Sequence, residues 1–101
     1  MITIFTPTYN RAYILPILFE SLKIQTVKEF EWIIVDDGST DNTESLIYKF
    51  KEECNFSIRY FKKENQGKHI AINFGVEKAK GNLFFIVDSD DYISLQLLVI
   101  L

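Results

Sequence analysis

The sequence is poor in the residues and patterns on which several classes of protein depend. It has one cysteine, Cys54, so it cannot form an internal disulfide, and we expect a reducing, cytoplasmic location. Eleven basic residues stand against fourteen acidic ones without forming a cluster, so we expect no nucleic acid partner. The first residues do not resemble a signal peptide, and no apolar run approaches the ~20 residues that span a bilayer. What remains is an ordinary globular composition, and we interpret residues 1–101 as one small domain.

Glycine is also scarce, which excludes the common phosphate-binding loops. The four glycines are Gly38, Gly67, Gly75 and Gly81, and none belongs to a G-x-G-x-x-G or Walker motif. If the chain binds phosphate groups, their charge must be met by something other than a glycine-rich turn.

Segments of strand and helix character alternate along the chain. Short β-branched and aromatic runs predict strands, and apolar residues at spacings of three and four predict helices. The strands are predicted at residues 2–6, 31–36, 57–61 and 83–87, and the helices at about 11–25, from 41 onward and after 67. Asp41 and Glu44 resemble a capping box for the second helix. This alternation predicts an α/β fold, a three-layer sandwich with a mostly parallel sheet of about four strands in the order 3-2-1-4.

Polar clusters follow three of the predicted strands. They read "TPTYN" after the first strand, "DDGSTD" after the second and "DSDD" after the fourth. Ligands of open parallel sheets bind beyond the carboxyl ends of the strands, so we expect the three clusters to form one site. A response-regulator receiver domain also has a parallel sheet, but it needs its acidic pair after the first strand, and here the pair follows the second.

The third cluster crowds three carboxylates into four positions, Asp88, Asp90 and Asp91. Carboxylate oxygens suit Mg²⁺ or Mn²⁺, which keep water and substrate phosphate as further ligands. The predicted cofactor is therefore one of these two ions. The alternative is that the three acids begin a helix, where the helix dipole favours negative charge.

Four motifs together resemble one known family. "TPTYNRAYIL", "VDDGSTDNT", "NQGK" and "VDSDD" are similar to the N-terminal, nucleotide-binding half of family 2 glycosyltransferases, which have the Rossmann-like GT-A fold. The resemblance implies a nucleotide-sugar donor, often a UDP-sugar, whose diphosphate is bridged to a D-x-D element by Mn²⁺ or Mg²⁺. It further implies transfer to a saccharide or lipid-linked acceptor, inversion at the anomeric carbon, a role in polysaccharide biosynthesis and a place at the cytoplasmic face of a membrane.

The resemblance also assigns residues to the nucleotide. Pro7, Thr8 and Tyr9 would line the base pocket, with the Tyr9 ring against uracil. Asp37 would accept a hydrogen bond from the base, with Asp36 beside it. The bland alternatives are that Asp36 and Asp37 only form a turn, and that Tyr9 belongs to the core.

The remaining assignments concern the phosphates and the metal. Lys68 would meet the nucleotide, although a solvated surface position is an equal alternative. Asp88 would contact the ribose or the metal, and Asp90 and Asp91 would bind the metal.

The end of the sequence is unusually apolar. Seven of the nine residues 93–101 are apolar, and no helix stop follows them. We expect the chain to be the front half of a larger fold, with the acceptor half and the general base beyond Leu101, so that residues 1–101 bind donor without transferring sugar. We expect the apolar tail to allow self-association; the alternative is a terminal helix packed on the sheet or on a second copy of the chain. A non-catalytic binding or interaction remnant of the same fold is the alternative function.

Overall fold

The computed structural model describes residues 2–24, 29–54, 56–64, 68–80 and 83–86. The elements are β1 (Ile2–Thr8), α1 (Leu15–Lys23), β2 (Phe30–Asp36), α2 (Thr43–Glu53), β3 (Ser57–Lys62), α3 (Lys68–Lys78) and β4 (Leu83–Ile86). Every predicted element is present. The apolar tail at residues 93–101 and the predicted strand residue Val87 lie outside the described residues.

The four strands form one parallel sheet in the order β3-β2-β1-β4, which confirms the predicted order. Thr8 pairs with Asp36 where β1 and β2 end, and Asp36 pairs with Lys62 where β3 ends. The carboxyl ends of these three strands therefore lie along one edge of the sheet.

Apolar side chains alternate between the two faces of the sheet and make two cores. One core lies between the sheet and the helices α1 and α2; among its fully buried members are Ile4, Leu18, Trp32 and Ile47. The other lies on the α3 side and contains Phe5, Ile33 and Val35, with Phe61 and Phe74 packed against it. Helices on both faces of the sheet confirm the predicted three-layer sandwich.

Helix α3 approaches the sheet closely at Gly75. A Cβ atom built on Gly75 would lie 2.1 Å from Cε1 of the fully buried Phe5 ring. No side chain fits at that distance, so glycine allows the helix to rest directly on the ring.

The sequence predicted that the first strand ends before Pro7, but β1 continues through Pro7 to Thr8. The backbone N–H and C=O groups of its even-numbered residues point toward β2, because Ile2 N donates to Glu29 O and Thr8 O accepts from Asp37 N. The backbone nitrogen of Pro7 therefore points toward the β4 side, where the described pairing ends at Phe5. A residue without an N–H group is tolerated at that position.

Two predicted helix starts were wrong. Helix α1 begins at Leu15, not near Arg11, because Pro16 lacks an N–H group and occupies the first turn. The Asp41–Glu44 capping box is absent: the N-cap of α2 is Asn42, without a side-chain bond.

None of the helices in the described ranges has the length and apolar character required to cross a bilayer.

A buried carboxylate ties the sheet together near the amino ends of the strands. Glu31 is 2% exposed. Its Oε2 accepts from Thr3 Oγ1 at 2.7 Å and from Lys80 N at 2.6 Å, and its Oε1 pairs with Arg59 Nη1 at 3.1 Å. Burial alone would raise the pKa of Glu31, but these hydrogen bonds and the Arg59 charge hold it below its usual value. Glu31 thus joins three strands and the segment after α3.

Candidate functional site

The loops after β1 and β2 start side by side at the carboxyl edge of the sheet. Asp37 N donates to Thr8 O at 2.9 Å, so the pairing of the two strands continues one residue into the second loop. Gly38 then turns the chain with φ 89°, a conformation that favours glycine.

Asn10 joins these two loops. Its backbone has φ 53°, a left-handed conformation that Asn tolerates better than most residues. Its Oδ1 accepts from Thr40 N at 2.8 Å and from Asp41 N at 3.3 Å. Its own N–H donates to Ser39 Oγ at 2.8 Å. A single side chain and its peptide group therefore hold together loops that lie about thirty residues apart in sequence.

Asp41 adds a second connection. Its Oδ2 accepts from Ala12 N at 3.1 Å, and its Oδ1 accepts from the N–H and hydroxyl of Thr43 at 3.1 and 2.5 Å. Although desolvation opposes it, hydrogen bonds from Thr43 and Ala12 lower the pKa of Asp41. Asp41 thus links the start of α2 to the first loop, which explains why it does not cap the helix in the predicted way.

Asp36 is fully buried and has protein partners at both carboxylate oxygens. Oδ1 accepts from Ser39 N at 2.8 Å, and Oδ2 accepts from the Tyr60 hydroxyl at 2.5 Å. Asp36 therefore takes part in the turn after β2 through its bond to Ser39 N. Its contact with a nucleotide stays a prediction, and so does that of Asp37, which is half-buried one residue further on.

The three residues predicted to line a base pocket lie together at this edge. Tyr9 is 43% exposed, so the alternative that it belongs to the core is wrong. Thr8 is 3% exposed, and its Oγ1 finds no hydrogen-bond partner among the described residues. Pro7 is half-buried beside them. An exposed aromatic ring next to a buried hydroxyl is an arrangement that can receive a flat polar base.

The predicted phosphate and metal residues fall largely outside the described part of the chain. Asp88, Asp90 and Asp91 lie beyond it, and Lys68 is described only as the first residue of α3. Within the described ranges, no group of three or more His, Cys, Asp or Glu residues could hold a metal ion.

The sequence analysis missed three residues that organise this site: Asn10, Ser39 and Tyr60. Asn10 carried a signal, because Asn directly after a strand is a common choice for a left-handed turn. Ser39 and Tyr60 carried none, since their roles depend on which strands become neighbours.

The comparison with protein families decides the ancestry. A model described as Glycosyl transferase family 2 matches residues 3–99. The chain belongs to glycosyl transferase family 2. The predicted family is thereby confirmed over nearly the whole chain.

Relatives of this glycosyl transferase family 2 chain agree with the assignment. An uncharacterized glycosyltransferase of Rickettsia felis is 41% identical over 90 residues, which are 89% of this chain and 15% of that protein. Among solved structures, S. aureus TarS 1-349 in complex with UDP-GlcNAc matches with a TM-score of 0.85 and 32% identity, covering 97% of this chain and 29% of that one. The mannosyltransferase PcManGT from Pyrobaculum calidifontis, in complex with GDP-Man and Mn²⁺, matches with a TM-score of 0.89 and 26% identity, covering 96% and 30%. These neighbours confirm the predicted GT-A type of fold.

The family 2 chain is much shorter than these relatives. It spans 15% of the Rickettsia protein and 29% and 30% of the two solved chains. The fold and family are therefore established for this segment, and the activity of a whole protein is a separate question.

Proposed function

We propose that this chain is the donor-binding part of a glycosyltransferase that moves a sugar from a nucleotide-sugar, most simply a UDP-sugar, to an acceptor hydroxyl. The observation that carries the proposal is the pair of loops after β1 and β2, cross-linked by Asn10, with the exposed Tyr9 ring beside them. The same edge of the sheet is where ligands of open parallel sheets bind. Structural neighbours in complex with UDP-GlcNAc and with GDP-Man support a nucleotide-sugar as the ligand class.

In this proposal the first two loops recognise the nucleoside. The Tyr9 ring stacks on the base, Thr8 contributes its buried hydroxyl or its backbone, and Asp37 accepts a hydrogen bond from a base N–H. Asp36, directly before Asp37, holds the turn in place, because its two carboxylate oxygens bind Ser39 N and the Tyr60 hydroxyl. Lys68, at the start of α3, would supply a positive charge to the phosphates.

We further propose that Asp88, Asp90 and Asp91 hold Mn²⁺ or Mg²⁺ near this site. Strand β4 ends at Ile86, which pairs with Phe5 of β1, so the chain leaves β4 toward the same edge. In the sequence, Asp88 is the second residue after that strand. Carboxylate oxygens fit these ions, and a divalent ion there would neutralise the charge that develops on the leaving diphosphate.

The rest of the reaction needs a general base and an acceptor site, which we assign to residues other than 1–101. The acceptor hydroxyl needs a positioned general base, worth typically ~10²–10⁴ in rate. We propose that residues 1–101 bind the donor and that both the base and the acceptor site lie outside them. Inversion at the anomeric carbon, a saccharide or lipid-linked acceptor, a role in polysaccharide biosynthesis, self-association through residues 93–101 and a place at the cytoplasmic face of a membrane remain expectations from the resemblance and the sequence.

Calorimetric titration of UDP into the chain tests the nucleoside part of the proposal. Tyr9→Ala should weaken binding roughly 5- to 150-fold, because stacking of a base on an aromatic ring contributes about 1–3 kcal/mol. Tyr13→Ala is the matched control, since Tyr13 is 73% exposed and makes none of the described hydrogen bonds that join the two loops. Equal losses in both variants, or no UDP binding by the wild-type chain, would contradict the proposal.

The metal is tested by repeating the titration with Mn²⁺ and with EDTA. Binding of UDP should be tighter with the ion, and Asp90→Asn should remove most of that difference while the unfolding curve stays unchanged. Equal affinity with and without the ion would exclude the metal role. Acceptor-dependent release of UDP from a UDP-sugar by residues 1–101 alone would show that the base lies within them.

A further inference from the structure

The hydroxyl of Tyr60, on the outer strand β3, binds a residue of the candidate site at the end of the neighbouring strand β2. We propose that Tyr60 is a positioning residue for the nucleotide: its hydrogen bond to Asp36 orients the carboxylate that holds the second loop, and through it the first loop and Tyr9. This inference rests on the proposed nucleotide-binding function.

The first step of the argument is the confinement of the Asp36 carboxylate. Asp36 is 0% exposed, and the described partners of its side chain are the Tyr60 hydroxyl on Oδ2 and the Ser39 amide on Oδ1. The backbone of Asp36 is fixed as well, because its carbonyl oxygen accepts from Lys63 N at 2.8 Å. The hydrogen bond from Tyr60 therefore restricts the rotation of the Asp36 carboxylate about its side-chain bonds.

The second step is the path from Asp36 to the nucleotide loop. Ser39 uses its amide to bind Asp36 and its hydroxyl oxygen to accept from Asn10 N at 2.8 Å. Three hydrogen bonds in series thus connect Tyr60 to the residue that directly follows Tyr9. If Asp36 turns, Ser39 loses its partner, and the support of the left-handed Asn10 weakens.

The third step separates the hydroxyl of Tyr60 from its ring. The ring packs against the main core and lies edge-on to Tyr48, with 6.2 Å between centroids. These contacts survive in Phe, which keeps the ring and loses only the hydroxyl. Burial, together with the hydrogen bond to Asp36, raises the pKa of Tyr60, so the hydroxyl keeps its proton and stays a donor.

The experiment compares Tyr60→Phe with Tyr48→Phe in the full chain. Tyr48 is 50% exposed and has no described bond to the site, so its variant controls for removal of a hydroxyl at a neighbouring ring. Tyr60→Phe should weaken UDP binding roughly three- to tenfold, and Tyr48→Phe should not. In nucleotide-free protein, the Ser39 amide resonance should move in the ¹H–¹⁵N spectrum of Tyr60→Phe alone.

The outcomes distinguish the two levels of the proposal. If the wild-type chain binds UDP and Tyr60→Phe binds it equally well, or leaves the Ser39 resonance unmoved, the inference is wrong and the proposed function stands. If the wild-type chain binds no UDP, the proposed function fails and the inference falls with it. Urea unfolding of each variant corrects the affinities for any unfolded fraction, and a loss of affinity fully explained by unfolding also overturns the inference.

Discussion

Replacing Glu31 by Gln should destabilise the fold without changing the nucleotide site. The carboxylate receives three donors: the Thr3 hydroxyl, the Lys80 amide and one Arg59 nitrogen. A glutamine of the same shape has one acceptor oxygen and one donor group. Whichever way its amide points, the NH₂ group faces a donor, either at Arg59 or at Lys80.

The cost follows from these contacts. A buried group left without its partner costs about 1–3 kcal/mol, and the charge pairing with the partly buried Arg59 is lost as well. We expect a total of about 2–4 kcal/mol, a large fraction of the ~5–15 kcal/mol that stabilises a typical domain. The midpoint of urea unfolding should fall by about 0.7–4 M, since the slope for small proteins is about 1–3 kcal/mol/M.

The pH dependence identifies the charge as the cause. The pKa of Glu31 in the folded chain is below its ordinary value of 4.5, so its stabilisation is fully present above that pH. As the pH falls through the lower folded pKa, the wild-type chain loses this contribution, whereas the Gln variant has none to lose. The difference between the two should therefore be constant near neutral pH and shrink in acid.

Glu29→Gln is the control, because it removes the same charge from an exposed side chain two residues earlier. The reasoning is refuted if Glu31→Gln unfolds at the same urea concentration as Glu29→Gln at pH 7. It is also refuted if the difference between wild type and Glu31→Gln does not decrease in acid. UDP affinity, measured below the unfolding range, should be equal in all three proteins.

Substitutions at Gly75 and Asn10 test the close packing and the loop connection. Gly75→Ala should lower the free energy of unfolding by about 1–2 kcal/mol, because the clash with Phe5 outweighs the ~1 kcal/mol gain in helix propensity; thermal unfolding checks this, Phe5→Leu should relieve part of the loss, and a stabilised Gly75→Ala would contradict it. Asn10→Gly loses the bonds to Thr40 and Asp41 but still favours the left-handed backbone. Asn10→Ala loses the same bonds and also disfavours the left-handed backbone. Both variants should bind UDP more weakly in calorimetry, and Ala should be less stable than Gly by about 1 kcal/mol; equal stability would show that the backbone angle does not matter.

The sheet was predictable because its signals are local. A short β-branched or aromatic run predicts each strand, and the alternation with helices leaves few ways to arrange four parallel strands. The contact between the first two polar clusters followed from the same logic, since segments that follow adjacent parallel strands meet at the carboxyl edge. Tyr9, for example, could be placed at that edge from its position after the first strand alone.

The supporting contacts were not predictable, because they depend on register between strands distant in sequence. Tyr60 can reach Asp36 only because Tyr60 pairs with Ile34 and therefore stands beside the end of β2. Glu31 looked like an ordinary charged residue at the start of a strand, and no local pattern showed that Thr3, Arg59 and Lys80 would converge on it. In both cases a carboxylate is buried together with its hydrogen-bond donors. The local sequence does not show which distant residues those donors are.

The hydrogen bonds of Asn10 have a consequence for protein engineering. Its side chain binds the peptide groups of Thr40 and Asp41, and Ser39 binds its own peptide group, so each loop is held in its described shape by bonds to the other. Transplanting the segment after β2 from a relative on its own would carry over only one of two segments that bind each other. The segments 7–12 and 36–43 should therefore be exchanged together, as a single unit of inheritance.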